Sequence, residues 1–446
     1  MSDNKKTYWK GLEELSEDPK FLKYAEKEFP EYLPVKTGKE VDHEGSSRRD
    51  FLKMMGFSLA AASLAACEAP VRKAIPYLIK PEEVDPGIPN YYASTYTSGG
   101  DYCSIVVKTR EGRPIKIEGN WESKITQGGV NAQVEASVLT LYDKQRLRGP
   151  MAGGAEVEWE TLDKNVLQQL RTVAASGGQI SIVSNTVISP TTLKVIEDFK
   201  AQYANTVHIT YDPQSAHGLI KANEKAFGKA VVPSYDYSKA DVIVSFGADF
   251  LGTWIAPIEN TKQYSKTRKI SSEKRTMSRH FQYESVLSLT GCNADYRFPI
   301  RPSQEGLLVV ALYNAIAQKG GNARINTTKI EEASISQVAD ELWASRGKSL
   351  VVCGSNDPDV QLVVNAINHV LGNYGNTIDL NNPLNYRQGD EDLMNNFIQQ
   401  AGSGSIGAVI FLGCNPVYDH PRGGELVNAL GKIKVKIATN ITLDET

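Results

Sequence analysis

From Val157 onward, short apolar runs alternate with longer amphipathic runs, and this alternation limits the fold more than any other feature of the chain. The apolar runs at 179–185 and 241–246 have the length of single strands, and helix-length segments follow them. Strands that are apolar throughout are typical of parallel sheets that helices cover on both faces. The pattern therefore predicts an α/β protein with doubly wound, mostly parallel sheets, in two units at 157–300 and 301–446.

A small β-rich part precedes these units and covers residues 68–156. Its first segment, 68–98, is rich in proline, tyrosine and glycine, which predicts an extended crossing segment. The next stretch alternates apolar and polar residues and predicts a β-hairpin that turns at Glu111–Arg113. Residues 131–151 then predict a helix with an exit at Gly149–Pro150.

Residues 47–67 predict an export signal. They begin with the letters SRRDFLK, which match the twin-arginine signal through Arg48, Arg49, Phe51 and Leu52. The weakly apolar run behind them has the length of a signal h-region, and it is too short to cross a bilayer, which takes about 20 apolar residues. The run ends in LAAC at Cys67, which is typical of a lipobox whose thiol takes a diacylglycerol.

This signal predicts where the protein works. Twin-arginine signals belong to bacterial export, so we expect the protein at the periplasmic face of the inner membrane. The polar arm 1–46 carries aromatic residues among charges, and we expect it to bind partners. Whether the signal is cleaved or retained, and whether Cys67 is acylated, stays open. The chain stops just after an apolar strand, so we expect it to continue beyond Thr446 in a longer polypeptide.

Composition limits the partners and the metal centres. The 446 residues carry a formal net charge of −3 with scattered basic residues, which argues against a nucleic-acid surface. The five cysteines are far apart: Cys67, Cys103, Cys292, Cys353 and Cys414. Iron–sulfur clusters need several thiolates at close spacing, and structural zinc needs paired ligands. The sequence therefore predicts no metal and no cofactor in this chain.

Two glycine-containing turns are candidates for a ligand site. Gly247–Thr253 and Gly413–Tyr418 each follow an apolar strand. Glycine there lets the backbone approach a ligand closely, but a tight strand-to-helix turn would need it equally, and both interpretations stay open. His217 and His420 lie near strand ends, where ligands bind in open α/β sheets. His208 lies within a predicted strand, which favours a packed core histidine.

At these turns the chain resembles the molybdopterin oxidoreductases. The segment SIVVKTREGRPIKIEGN is similar to the hairpin that follows that family's iron–sulfur cluster, and LYDKQRLRGPM is similar to the exit from its first domain. VIVSFGADF and IFLGCNPVY resemble its strand-and-loop pairs. The resemblance covers about 99–446. It implies doubly wound sheets around a bis-pterin guanine dinucleotide cofactor.

The chain departs from that family where metal is bound. The family has four cysteines before the hairpin, and this chain has only Cys103. The molybdenum ligand would fall near 212–217, where Ser215 is the only plausible substitute. The resemblance therefore implies a vestigial cofactor cleft, and its predicted residues are Ser215, Gly247, Asp249, Gly413 and Asn415.

The whole chain resembles one subgroup of this family. The resemblance includes the N-terminal arm, the late export signal and the domain that lacks the metal ligands. This subgroup is the large subunit of bacterial alternative complex III. The resemblance implies menaquinol oxidation, with electrons passing to cytochrome c or a terminal oxidase. It also implies three partners: a multihaem cytochrome c, quinol-binding integral membrane subunits, and a ferredoxin-like part of the same polypeptide. Iron–sulfur clusters and haem c are expected in those parts.

Three functions stay open at this point. The first is a structural, cofactor-free domain in a membrane-bound quinol-oxidising complex. The second is an active molybdenum bis-pterin oxidoreductase with Ser215 as the metal ligand. The third is an exported lipoprotein that binds a solute in the old cofactor cleft. The first accounts together for the missing cysteines, the export signal and the long arm.

Overall fold

The computed structural model describes residues 84–98, 101–328, 330 and 333–446. The polar arm and the export signal lie outside these residues. The same holds for the predicted signal and lipidation residues, Arg48, Arg49, Phe51, Leu52 and Cys67. What the sequence predicts for them stays a prediction.

The β-rich part is a three-stranded antiparallel sheet with its longest strand in the middle. Its strands are β1 (Asn90–Ser98), β2 (Asp101–Arg110) and β3 (Arg113–Gly119). β2 and β3 are joined at Glu111 and Gly112, whose φ angles are 51° and 75°. Two successive positive φ values are typical of the type I′ turn, whose twist suits a hairpin. The predicted hairpin and its turn are present.

The helix predicted at 131–151 is much shorter in the structure. α1 spans Ala132–Ala136 and runs into a 3₁₀ helix at Ser137–Tyr142. Asn131 caps α1, because its side chain accepts a hydrogen bond from Val134 N. None of the residues in the 3₁₀ segment is buried. Helices this short depend on tertiary packing, so without a buried face the α-helix ends early.

The remaining strands and helices follow the predicted alternation. The strands are β4 (Met151–Ala152), β5 (Ala155–Glu156), β6 (Gln179–Ser184), β7 (Thr206–Thr210), β8 (Val232–Tyr235), β9 (Val242–Phe246), β10 (Arg279–Glu284), β11 (Tyr296–Pro299), β12 (Ser349–Cys353), β13 (Ile378–Leu384), β14 (Ile406–Leu412) and β15 (Val435–Ala438). The helices are α2 (Trp159–Ala175), α3 (Pro190–Gln202), α4 (His217–Phe227), α5 (Pro257–Arg268), α6 (Leu289–Cys292), α7 (Glu305–Gly320), α8 (Ala333–Ala344), α9 (Pro358–Val370), α10 (Glu391–Ser403), α11 (Pro416–Asp419) and α12 (Gly423–Leu430). Single 3₁₀ turns lie at Tyr237–Lys239 and Pro302–Gln304.

Two four-stranded parallel sheets form the body of the protein. The central sheet has the order β11-β10-β9-β12, and the second sheet has the order β15-β14-β6-β7. β8 and β13 pair antiparallel as a separate ribbon. Each sheet draws strands from both sides of residue 300. The sheets therefore interleave along the chain and do not follow the predicted division into 157–300 and 301–446.

The central sheet is buried on both faces. Val244 and Phe246 of β9 pack into one apolar cluster with α7, α8 and α9. Ile243, one position along the same strand, packs into another cluster with Phe250 on the opposite face. Successive strand residues point to opposite faces, so a strand covered twice must be apolar at every position. Each fully buried large side chain contributes about 1.5–3 kcal/mol relative to exposure.

The second sheet has the same two-sided cover. Val183 of β6 and Phe411 of β14 pack against α10 and α12. Ile180 and Val435 pack on the other face, against Leu170 of α2. The predicted fold class, a small β-rich part followed by doubly wound parallel sheets, is confirmed. Among the described residues, no helix combines the length and the apolar character that crossing a bilayer would need.

A buried carboxyl group lies where α5 packs against the antiparallel sheet. Glu259 lines a small cavity of about 20 Å³ together with Thr126. Among the described residues, no group donates a hydrogen bond to Glu259 Oε2. Burial disfavours the charged form and raises the pKa of Glu259 to about 6. The carboxylate therefore destabilises the fold at neutral pH.

Replacing Glu259 by Gln should raise the free energy of unfolding relative to the wild type, by an amount that grows between about pH 4.5 and pH 6. The pKa rises from 4.5 to about 6 on folding, so in this window the folded state binds more protons than the unfolded state. The contribution of Glu259 to the free energy of unfolding then falls with rising pH, by about 2 kcal/mol in all. Urea denaturation of wild type and Glu259→Gln at several pH values measures this as a growing difference between the two proteins. The exposed Glu273→Gln should show no such difference from the wild type, and parallel curves for wild type and Glu259→Gln would contradict the described burial.

Candidate functional site

The strand order of the central sheet reverses between β9 and β12. From β9 the chain moves outward through β10 and β11, and β12 then adds to the other side of β9. Loops that follow such neighbouring strands run in opposite directions and leave a crevice at the carboxyl ends, where ligands bind in open α/β sheets. A cleft of about 320 Å³ lies there. We call it the switch-point cleft.

Three of the five predicted cleft residues meet in the switch-point cleft. Ser215, Gly247 and Asp249 line it together with residues of the loop after β12. Gly413 and Asn415 do not line it, because they follow β14 of the second sheet. The Asn415 side chain donates to Glu445 Oε2 at 2.7 Å and accepts from Thr446 Oγ1 at 2.6 Å.

The glycines of the cleft let two loops touch each other. Gly247 has a φ of +61°, and a Cβ there would lie 2.5 Å from Glu305 Oε2. A Cβ on Gly354, after β12, would lie 2.6 Å from the carbonyl oxygen of Gly247. The Gly247 amide donates to Tyr283 O at 2.7 Å. The space beside Gly247 is therefore occupied by Glu305 and by the loop that contains Gly354.

The helix that begins at the cleft has its first amides occupied. Free amides at a helix N-terminus are what usually holds a phosphate or another anion. At α4 the His217 amide donates to Ser215 Oγ at 2.9 Å, and the Gly218 amide donates to Asn356 Oδ1 at 2.8 Å. The next two helices of this edge, α9 and α10, are capped in the same way by Asp357 and Asp390.

Two carboxylates near the cleft are fixed by internal hydrogen bonds. Asp249 Oδ1 accepts from Thr290 N at 3.0 Å and from Thr290 Oγ1 at 2.8 Å. The buried Asp212 accepts from Thr186 N at 2.9 Å and from Gly389 N at 2.8 Å. Both carboxylates hold loops together at the ends of the strands. Asp249 therefore has a structural role that the sequence did not reveal.

Two further residues shape the cleft and were not predicted. Arg387 is nearly buried with a φ of +53°, and its Nη2 donates to Asp101 Oδ1 at 2.6 Å. Non-glycine residues in this conformation are uncommon and often lie at functional or tightly constrained positions. Glu305 lies over Gly247, and burial raises its pKa. Neither residue belongs to a recognisable motif, so no local sequence signal could have identified them.

The donor groups of the cleft do not fit molybdenum. Ser215 Oγ already accepts from the His217 amide, the carboxylates of Asp249 and Glu391 line the same cleft, and the guanidinium of Arg387 there is bound to Asp101, so little supports a metal-binding alkoxide. The thiol of Cys353, which precedes Gly354 of the cleft, is buried and donates to Glu305 Oε1 at 3.6 Å. Burial raises the pKa of Cys353, which keeps the thiol protonated and a poor ligand.

The predicted site histidines lie in different places. His217, the first residue of α4, has Nδ1 3.8 Å from Asp390 Oδ1 and Nε2 3.5 Å from Asp392 Oδ2. One ligand atom from each of these three residues lies within 4.8 Å of the other two, so the group could hold a cation. Lys221 Nζ, 3.7 Å from Asp392, would compete with an ion for that carboxylate. His420 lies outside the cleft, where its Nδ1 accepts from the Arg422 amide.

Comparisons with known proteins agree with this architecture. No protein-family model matches the chain. A curated relative from Nitratidesulfovibrio vulgaris, the menaquinone reductase, molybdopterin-binding-like subunit, is 24% identical over 77% of this chain. The chain spans 55% of that relative, slightly more than half of its length. Acetylene hydratase from Pelobacter acetylenicus matches in structure with a TM-score of 0.52 and 9% identity, over 77% of this chain and 60% of the hydratase.

These two matches test the predicted fold class and the predicted resemblance to a known family. The structural match to acetylene hydratase shows a shared fold, in agreement with the predicted fold class. The name of the sequence relative supports the resemblance to molybdopterin oxidoreductases at the level of the family. Neither match names alternative complex III.

Proposed function

We propose that this chain is a structural, cofactor-free, molybdopterin-oxidoreductase-like domain of a membrane-bound respiratory complex that oxidises quinol. One observation carries the proposal. The groups that would hold an anionic cofactor at the switch-point cleft are occupied by the chain itself, since Ser215 and Asn356 accept from the first amides of α4. The carboxylates of Asp249 and Glu391, which line the same space, repel the phosphates of a dinucleotide, and the guanidinium of Arg387 there is already bound to Asp101.

The comparison with the sequence relative supports a link to quinones. That relative is named as a subunit of a menaquinone reductase and as molybdopterin-binding-like. We infer a similar place for this chain, in a complex of the alternative complex III kind that passes electrons to cytochrome c or a terminal oxidase. Its neighbours would be a multihaem cytochrome c, quinol-binding integral membrane subunits and a ferredoxin-like part of the same polypeptide. Those neighbours would carry the haem c and the iron–sulfur clusters.

The location follows from the export signal in the sequence. We propose that the twin-arginine pair Arg48 and Arg49 directs the protein out of the cytoplasm, and that it works at the periplasmic face of the inner membrane. A lipid on Cys67 would help to hold it there. A single acyl chain gives only marginal binding, so stable attachment would depend on partner subunits as well.

Metal and nucleotide analysis of the purified complex tests the proposal. We expect no molybdenum and no releasable guanine nucleotide, because no cysteine lines the cleft and the first two amides of α4 are already hydrogen-bonded. Ser215→Ala should leave quinol oxidation and metal content unchanged. Asn185→Ala is a matched control, because Asn185 follows β6 at the other sheet and its side chain donates to Tyr211 O at 2.8 Å.

Two outcomes would decide against the structural role. Molybdenum at one ion per chain that is lost in Ser215→Ala would establish the active molybdenum enzyme. A tightly held small solute, released on denaturation of the isolated protein, would favour the solute-binding lipoprotein. Absence of both, in an assembled and active complex, supports the structural domain.

A further inference from the structure

A second concave surface lies away from the switch-point cleft. It is an open groove of about 820 Å³ between α5, the turn at 128–132 and α6. Buried apolar side chains, among them Leu251 and Ile258, form its floor. We call it the α5 groove. The volume of the groove lies within the range of binding sites for side chains and small molecules. The proposed function does not use the groove, so the groove needs an explanation of its own.

Exposed apolar side chains flank the α5 groove on two sides. Trp121 is 77% exposed at one side, where Lys262 Nζ lies 4.6 Å from the centre of its ring. Leu289 lines the other side and is 55% exposed, and the preceding Val286 is 76% exposed. Clusters of large apolar side chains on a soluble surface are typical of interaction sites. Tryptophan is among the residues that most often dominate binding energy.

These exposed side chains are held in place before any partner arrives. The Trp121 ring packs against Gly128 so closely that a Cβ there would lie 2.4 Å from Trp121 Cδ2. On the other side, Glu284 fixes the loop before Leu289, because it accepts from Ser288 Oγ at 2.6 Å and from Arg297 Nε at 2.5 Å. Surfaces that are already ordered lose little conformational entropy on binding.

The charge at the groove is positive. Lys262, Lys266 and Lys269 follow one another along one side of α5 and its end. Among the described residues, none of these three lysines forms an ion pair with a carboxylate. Arg268 is different, since both of its terminal nitrogens bind Asp295, at 2.5 and 2.8 Å. The lysines therefore leave uncompensated positive charge along an apolar groove.

We propose that the α5 groove binds an acidic amphipathic segment of another protein subunit. Such a segment would place apolar side chains between Trp121 and Leu289 and its carboxylates against the three lysines. The surface is concave, which fits a protein segment better than the face of an anionic bilayer. The inference rests on the proposed function in one respect only, that the partner is another subunit of the same complex.

Site-specific photocrosslinking in the assembled complex tests this inference. A benzophenone amino acid at Leu289 is activated in intact cells, and the crosslinked peptide is sequenced by mass spectrometry. We expect one segment of a co-purifying subunit, rich in Asp and Glu among apolar residues. Lys262→Glu with Lys269→Glu should reduce this crosslink at least tenfold. The control, Lys144→Glu with Lys434→Glu, changes two exposed lysines elsewhere and should leave it unchanged.

Each other outcome overturns the inference. A crosslink to phospholipid, to a second copy of this chain or to a basic segment excludes the acidic partner, as does a crosslink that survives the double charge reversal. An assembled, active complex without any crosslink at Leu289 also excludes it and leaves the proposed function intact. If this chain purifies alone and no quinol-oxidising complex contains it, the proposed function fails instead. Circular dichroism and thermal unfolding of each variant show whether it is folded.

Discussion

Replacing Gly218 by alanine should lower the free energy of unfolding by about 3 kcal/mol. Gly218 is the second residue of α4 and lies directly on the loop after β12. A Cβ there would lie 2.2 Å from the carbonyl oxygen of Asn356 and 2.4 Å from its carbonyl carbon. These are backbone atoms that cannot rotate away, so the helix and the loop must separate. Overpacking of this kind costs about 1–3 kcal/mol, and more where the backbone must move.

Urea denaturation of the purified protein measures this cost. Gly424→Ala is the matched control, since Gly424 lies in α12 and an added Cβ would meet nothing within 4 Å. Alanine favours a helix over glycine, so that variant should gain about 0.5–1 kcal/mol. If Gly218→Ala costs less than about 0.5 kcal/mol, the close contact between α4 and the loop after β12 is not maintained in solution. The self-occupied cleft would then lose its main support.

Acidification from pH 7 to pH 4 should cost about 3 kcal/mol of stability through His280 alone. His280 is fully buried in β10, between Tyr264 Oη at 3.2 Å from Nδ1 and Gln282 Oε1 at 3.3 Å from Nε2. Burial lowers its pKa from 6.5 to about 4, because the charged ring loses its hydration. Between these values the unfolded chain binds a proton that the folded chain does not. The stabilisation is complete above pH 6.5 and is lost as the pH falls to about 4.

Comparison with His280→Gln isolates this effect. Glutamine does not titrate, so the difference in unfolding free energy between wild type and variant should change by about 3 kcal/mol from pH 7 to pH 4. The comparison is needed because Glu259 acts in the opposite direction between pH 4.5 and 6. A difference that stays constant across this range would show that the ring is accessible to protons in the native state.

Local patterns were enough to predict several strands of the two parallel sheets. The strands expected at 179–185 and 241–246 are β6 and β9, because a strand covered on both faces carries its apolar signal within a few residues. These local signals do not determine the order of the strands in a sheet. The pairing of β6 with β14 and of β9 with β12 joins residues that are far apart along the chain. Nothing within either strand identifies its neighbour.

The same limit applies to the predicted site. The turns at Gly247 and Gly413 each follow an apolar strand, and the family resemblance places both in one cleft; in the structure both glycines have a φ of +61°. They end strands of different sheets, and only Gly247 lies with Ser215 in the switch-point cleft. Glu305 and Arg387 reach the cleft through tertiary packing, and their neighbours in sequence carry no motif. The residue types suggested what kind of site to expect. Which residues line that site depended on the order of the strands in the sheets.

The interleaving of the two sheets has a consequence for the synthesis of the chain. When the ribosome has made residues up to 300, β6, β8 and β9 all exist, but the strands that pair with them, β14, β13 and β12, do not. Each of the three strands then has an unsatisfied edge, which favours aggregation until residues 349–412 have been made. Folding would proceed through pairings distant in sequence, which are slow to form. If the proposed twin-arginine route exports the folded protein, this interval falls in the cytoplasm, where chaperones can protect those edges.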